Sequence, residues 1–201
     1  MDIIYIATKN KGKVTEFNTF FNKFKISVKS LLDLDDDIII NETGKTFAEN
    51  ALIKAKTLCD LIKTPVLADD SGLEVEKLNN EPGIYSARYA GNHDDLQNNL
   101  KVLDKLKGVP FKDRKAYFTC SLALVYPSGK EIVVTGRCLG YILENLQGSD
   151  GFGYDPIFYL PELDKSYAEL TRSEKNLVSH RGQALKKLEK VLLNDKNFNR
   201  E

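Results

Sequence analysis

Ile3-Ile4-Tyr5-Ile6-Ala7 runs directly into Thr8-Lys9-Asn10-Lys11-Gly12-Lys13, and then into Val14, Phe17, Phe20, Phe21 and Phe24. The first five residues form a short apolar run bounded by polar ones, the pattern of a buried strand. The later apolar residues recur at helical spacing, so a helix follows directly. A buried strand feeding straight into a helix opens an α/β or α+β chain.

The rest of the chain extends this pattern. Ile26-Ser27-Val28 reads as a second strand, and Asp33 to Asp37 as an acidic loop. Thr46-Phe47-Ala48-Glu49 has the form of a capping box. It predicts a helix to about Lys63, with Phe47, Ala51, Ala55, Leu58 and Ile62 inward. Pro65 to Ala68 is an apolar strand ending in Asp69-Asp70-Ser71-Gly72, and His93 to Lys107 is a helix through Leu96, Leu100 and Leu103. Ala116 to Tyr126 and Glu131 to Leu139, either side of Pro127-Ser128-Gly129, predict a long β-hairpin. Ala184, Leu185, Leu188, Val191 and Leu192 predict a last helix. Strands and helices alternate early and the hairpin comes late, so the sheet is expected to be mixed.

Composition narrows the function classes. A chain of 201 residues suits one large domain or two closely packed lobes, and 42% hydrophobic residues support a core. Basic and acidic residues number 29 each, which argues against a dedicated nucleic-acid or membrane-surface binder. Cys59, Cys120 and Cys138 are scattered and form no CxxC pair, so neither a zinc site nor a disulfide framework is expected. No signal pattern opens the chain, and no apolar run approaches the roughly 20 residues of a membrane span. The expectation is a soluble, cytoplasmic protein.

Four clusters carry candidate chemistry. Thr8 to Lys13 lies between a strand and a helix, where free backbone N–H groups, lysines and Gly12 can cradle a polyphosphate. Its spacing is not that of a Walker P-loop, and the alternative is a solvated basic turn. Asp69 and Asp70 end an apolar strand and suit Mg²⁺, which often bridges one or two carboxylates to substrate phosphates. Because strand side chains alternate, one aspartate is expected to face a ligand while the other braces the loop. The alternative is a turn, which Asp, Ser and Gly favour. Glu42 is either a second carboxylate ligand or a solvated loop acid. In Gly151-Phe152-Gly153-Tyr154-Asp155-Pro156 the glycines allow close approach, Phe152 and Tyr154 offer ring faces to a flat base, and Asp155 can accept from its N–H groups. The competing reading is a tight turn whose aromatics plug the core. Finally, Ser179 is a plausible N-cap, placing His180 and Arg181 in a first helical turn near Glu174-Lys175. Cations there oppose the helix dipole unless an anion or carbonyl is close.

These clusters, together with Glu42-Thr43-Gly44, Thr46-Phe47-x-x-Asn50-Ala51, Ala68 to Leu73 and Pro82 to Arg88, occur in an order that resembles one family. The sequence is similar to the inosine triphosphate pyrophosphatases, or non-standard purine nucleoside triphosphate pyrophosphatases (XTP/dITP diphosphatases). The resemblance runs from residue 3 to about residue 193. It implies a single domain over residues 1–201, of two-lobed α/β fold, with a long mixed β-sheet flanked by helices and an active-site cleft between the lobes. It also implies hydrolysis of ITP, dITP and XTP to monophosphate and pyrophosphate with Mg²⁺, usually by a homodimer. By position, Thr8, Lys9, Asn10, Lys11, Gly12 and Lys13 would bind the triphosphate. Glu42 and Asp70 would hold the metal, Asp70 would also activate water, and Asp69 would support both. Ser71 would touch substrate, while Phe152, Gly153, Tyr154, Asp155, Lys175, His180 and Arg181 would surround the base. Lys9 and Lys11 make this phosphate loop more basic than in many relatives. A Maf-type pyrophosphatase would lack the Ser-His-Arg and Phe-Gly-Tyr-Asp blocks, and a non-hydrolysing nucleotide sensor would not need the three acids.

Overall fold

The structure, a computed structural model, describes residues 2–35, 38–91 and 93–195. Asp36 and Asp37, the end of the expected acidic loop, lie outside the described residues. The chain forms two compact units, one from Met1–Asp70, Ser121–Thr135 and Ala184–Glu201, the other from Ser71–Cys120 and Gly136–Gln183.

In the first unit, β1 (Ile3–Ile6) buries Ile4 and Ile6 and passes through the Thr8–Asn10 loop into α1 (Lys11–Asn22). Asn10 caps that helix, its Oδ1 accepting the Lys13 N–H at 3.1 Å. Phe17, Phe20 and Phe21 form the buried face, and the chain turns out of the helix before Phe24, with Lys25 left-handed at φ 56°. β2 (Ser27–Ser30) then pairs in parallel with β1. Thr46 caps α2 (Phe47–Ile62) as expected, but Glu49 reaches back to the N–H of Lys45 rather than that of Thr46. Helix α2 buries Phe47, Ala51, Ala55, Leu58 and Cys59. Ala51, Ala55, Leu58 and Cys59 share a core with Ala7, Val66, Ala68, Ala123 and Val125.

One expectation fails on β3 (Val66–Val75), which does not end at Asp69-Asp70-Ser71-Gly72. It runs straight through, so there is no turn at Gly72. Leu73 and Val75 continue the buried pattern, and the Leu73 N–H donates to Ser86 Oγ at 2.9 Å. Burial of those two side chains outweighs the turn preference of Asp, Ser and Gly.

The second unit adds β4 (Glu81–Pro82), antiparallel to β3, and α3 (Asp95–Lys105). Leu96 and Leu100 of α3 are exposed, contrary to the apolar face expected from their spacing. Asn98, Asn99 and Val102 are buried instead. Asn98 satisfies the Ala90 N–H and the Ala87 carbonyl, so polar side chains serving loop backbone occupy the inward face. The predicted hairpin is present as β5 (Lys115–Val125) and β6 (Glu131–Ile142). Two short strands follow, β7 (Phe158–Leu160) and β8 (Lys165–Ser166), each antiparallel to its predecessor. Helices α4 (Arg172–Val178) and α5 (His180–Leu193) close the described chain. The core of this unit gathers Leu73, Val102, Leu106, Phe118, Tyr154, Phe158 and Tyr167, among others.

Among the described residues the strands form one mixed sheet in the order β2-β1-β3-β5-β6-β7-β8, with β4 beside β3. The class is α/β with a mixed sheet, as expected.

Candidate active site

In the first unit an acid–lysine set converges from four segments: α1, the loop at Glu42, α2 and β3. Lys13, in the first turn of α1, places Nζ 2.9 Å from Oδ2 of Asp69, whose carboxylate is 1% exposed. The neighbouring Asp70 points to the other face of β3 and meets a different cation: Oδ1 lies 3.4 Å from Nζ of Lys54 on α2. The same ammonium lies 3.3 Å from Oε2 of Glu42. Glu42 is brought there by the loop at Gly44, whose N–H donates to Asn50 Oδ1 at 2.8 Å. A Cβ on Gly44 would stand 2.7 Å from that same oxygen, so only glycine permits the approach.

Burial pushes the Asp70 carboxyl above its ordinary value; Lys54 opposes this and Glu42 adds to it. For Lys54 burial works against the charge, but Asp70, Asp69 and Glu42 together hold the ammonium above its usual range. Asp70 Oδ2 is buried and lacks a hydrogen bond of full geometry among the described residues, while the Asn50 side chain acts on the same carboxylate and favours its charged form. Two carboxylates close to one cation, with a buried oxygen short of a full hydrogen bond on one of them, fit a hard divalent ion that takes its remaining ligands from phosphate and water. Glu42 and Asp70 therefore suit Mg²⁺. No group of three or more His, Cys, Asp or Glu stands ready to enclose a metal among the described residues.

The second unit holds a buried cationic and aromatic set. Asp155, 3% exposed, accepts the Phe152 N–H on Oδ2 at 2.8 Å and the Lys175 ammonium on the same oxygen. Burial raises the Asp155 carboxyl, with Lys175 opposing. Gly151, at φ 86°, allows this turn, since a Cβ there would lie 2.1 Å from Asp155 Oδ2. The Lys175 ammonium also sits 5.0 Å from the centre of the Phe152 ring and 5.3 Å from that of Tyr167. Ser179 Oγ accepts the Gly182 N–H at 3.1 Å, the expected cap at the start of α5. His180 stacks on Phe118 at 4.8 Å and 14°, and Arg181 donates to Ser71 Oγ at 3.3 Å. Both are nearly buried.

The model of the Ham1 family matches residues 4–191, a span that includes every residue of both sets. The chain belongs to the Ham1 family. It is 54% identical over 188 residues to a dITP/XTP pyrophosphatase of Halalkalibacterium halodurans, covering 93% of this chain and 97% of the relative. It is 51% identical over 195 residues to a dITP/XTP pyrophosphatase of Bacillus cereus, covering 96% and 95% respectively. The solved structure of the Staphylococcus aureus Ham1 protein superposes with a TM-score of 0.90 at 42% identity, covering 97% of this chain and all of that one.

For this Ham1 family chain, sequence reading and structure differ at particular side chains. Tyr154 is the clearest correction. Its ring does not stand out as a stacking face: it is 4% exposed in the core, and its hydroxyl donates to the Ser86 carbonyl at 2.7 Å. Burial lifts that hydroxyl's pKa far above the usual tyrosine range. Phe152 alone of the pair keeps an open ring, at 49% exposure. Asn10 spends its side chain on capping α1, and its own N–H donates to Thr8 Oγ1 at 3.2 Å. Lys9 lies exposed on the same loop, and Lys11 lies exposed at the start of α1, beside Gly12. Sequence reading missed Lys54 and the tie of Asn50 to Gly44. It also missed Asp95 and Asn99 of α3, which hold the Gly153 backbone. Lys54 lies one helical turn after Asn50, on the face that meets β3. That spacing is a signal only once the helix is docked.

Proposed function

We propose that the protein hydrolyses non-standard purine nucleoside triphosphates, dITP, XTP and ITP, to the nucleoside monophosphate and pyrophosphate, in the presence of Mg²⁺. It is a nucleoside triphosphate pyrophosphatase of the Ham1 family. The observation that carries this reading is the Lys54 ammonium between Glu42 and Asp70, with Oδ2 of Asp70 lacking a hydrogen bond of full geometry among the described residues. A site that already draws a cation between two acids suits a substrate arriving with a divalent ion.

The phosphate side belongs to Thr8 through Lys13 and to Lys54. Lys13 and the N–H groups at the start of α1 bind phosphoryl oxygens and offset charge as pyrophosphate leaves. When bound at Glu42 and Asp70, Mg²⁺ supplies further charge neutralisation on those oxygens. Asp70 takes a proton from water, whose oxygen attacks the α-phosphorus while the bond from that phosphorus to the bridging oxygen breaks. Asp69, paired with Lys13, fixes that lysine against the strand.

The base side belongs to Phe152, Gly153, Asp155, Lys175, His180, Arg181 and Ser71, with Tyr154 anchoring the loop from the core. Hypoxanthine and xanthine present a 6-oxo acceptor that these cationic donors satisfy. Adenine presents an amino group there and leaves them unpaired, at about 1–3 kcal/mol per group. A homodimeric, cytoplasmic enzyme is proposed on the family resemblance; a monomer mass by sedimentation would remove the first part.

The test is product identification with a panel of dITP, XTP, ITP, GTP and ATP. Monophosphate plus pyrophosphate, with dITP and XTP preferred, is expected. Diphosphate plus phosphate, or equal kcat/KM across the panel, overturns the reading.

A further inference from the structure

Helix α3 grips a single residue of the aromatic–glycine loop on both of its backbone polar groups. The Gly153 N–H donates to Asp95 Oδ2 at 2.7 Å, and the Gly153 carbonyl accepts from Asn99 Nδ2 at 2.7 Å. Asp95 and Asn99 stand four residues apart, which puts them on one helix face. Asn99 is 2% exposed, and its Nδ2 also donates to the Asp95 carbonyl at 2.6 Å, so the same nitrogen ties α3 backbone and Gly153 together. On the other side of Phe152, its own N–H is held by Asp155, and Asp155 is held by Lys175. Gly153 sits at φ 63°, in the left-handed region that glycine enters freely, so its own conformation does not fix the loop. The exposed Phe152 ring is therefore carried by a peptide pinned before and after it, although the stretch is rich in glycine.

We propose that Asp95 and Asn99 are positioning residues for base recognition: by clamping Gly153 they fix the Phe152 ring in place before the nucleotide arrives, and so sharpen the preference for 6-oxopurines. This rests on the assignment of Phe152, Gly153 and Asp155 to the base. A free glycine loop would have to be ordered at each binding event, and its entropy would count against affinity. A loop free to shift would also let adenine find a position where the buried donors are not left unpaired. The clamp removes both freedoms without touching the nucleotide.

The experiment uses the full chain and steady-state kinetics with dITP, XTP and dATP. Asp95→Ala removes one grip at an exposed position, Asn99→Ala removes the other, and Asp95→Asn keeps an acceptor for the Gly153 N–H. Asp95→Ala and Asn99→Ala are expected to raise KM for dITP about tenfold, hold kcat within about twofold, and narrow the dITP-to-dATP ratio of kcat/KM by about tenfold. Asp95→Asn is expected to restore most of both. The proposal is overturned if Asp95→Ala keeps the wild-type KM and ratio. It is equally overturned if kcat falls alike for every nucleotide in step with Tm, or if Asp95→Asn fails to rescue. Phe152→Ala run alongside separates the two levels. If it raises KM for dITP while the α3 variants do not, only the clamp is wrong; if it leaves KM unchanged, the base assignment fails as well.

Discussion

Nζ of Lys13 lies 2.9 Å from Oδ2 of Asp69, joining the first turn of α1 to the middle of β3. Asp69 is almost wholly buried, whereas Lys13 keeps about a fifth of its side chain in solvent. The pair ties the start of α1 and the Thr8–Asn10 loop before it to the sheet. Replacing Lys13 therefore has two consequences. Lys13→Met is expected to lower stability by about 3 kcal/mol, the lower end of what breaking a buried pair costs, and to raise KM for the nucleotide. Urea unfolding reads the first and kinetics the second. Wild-type stability in Lys13→Met would show that the pair contributes nothing.

Asp70→Asn keeps the shape of the side chain and removes both its charge and its basicity. The fold is expected to survive, because Lys54 retains Glu42 as a partner. Turnover of dITP is expected to fall about 10²–10⁴-fold, the usual contribution of a positioned general base. Near-wild-type kcat in a variant with native circular dichroism would remove Asp70 from the mechanism.

Chelation offers an independent check on the acid pair. EDTA is expected to stop pyrophosphate release, and added Mg²⁺ to restore it. Glu42→Gln is expected to need about tenfold more Mg²⁺ for half-maximal rate, since one of two carboxylate ligands is lost. Full activity in EDTA, or an unchanged Mg²⁺ requirement in Glu42→Gln, contradicts the metal assignment.

Tyr154 and Phe152 are two residues apart, yet their substitutions should separate cleanly. Tyr154→Phe deletes the hydrogen bond to the Ser86 carbonyl and is expected to cost about 1 kcal/mol of stability with KM for dITP unchanged. Denaturant midpoints and Michaelis curves on the same preparation measure both. A large KM change with no loss of stability would put the Tyr154 side chain at the nucleotide after all.

Glu174 supplies a pH-dependent prediction away from the chemistry. The hydroxyl and backbone N–H of Thr171, with Lys165, hold its carboxyl down at about 2. The ordinary glutamate value is about 4.3. A folded value below the unfolded one means the stabilisation is complete above the unfolded value and is lost as pH falls through the folded one. The stability gap between wild type and Glu174→Gln is therefore expected to be full at neutral pH and to close as pH falls from about 4 towards about 2. A gap that does not change across that window, in denaturant titrations at fixed ionic strength, would rule out the capping-box linkage.

The elements that periodicity and capping set were legible from the start: β1 into α1, Thr46 at the head of α2, the β5–β6 hairpin, and Ser179 before α5. Each depends on neighbours within a few residues. Reading failed where a distant partner decides. Asp-Asp-Ser-Gly reads locally as a turn, but the burial of Leu73 and Val75 keeps β3 extended. Leu96 and Leu100 read as an inward face, but Asn98 and Asn99 turn inward because loop carbonyls and N–H groups need them.

The sequence by itself determined the α/β class and, through the order of its motifs, the family, because strand and helix periods and short contiguous motifs are written in adjacent residues. Only the tertiary structure decided that Lys54 stands between Glu42 and Asp70, that Phe152 rather than Tyr154 keeps its ring open, and that α3 holds Gly153. Those partners are 12 to 58 residues apart along the chain. A hydrogen bond or ion pair acts over about 3 Å of space, and no spacing rule in a sequence encodes a contact that exists only after separate elements have packed.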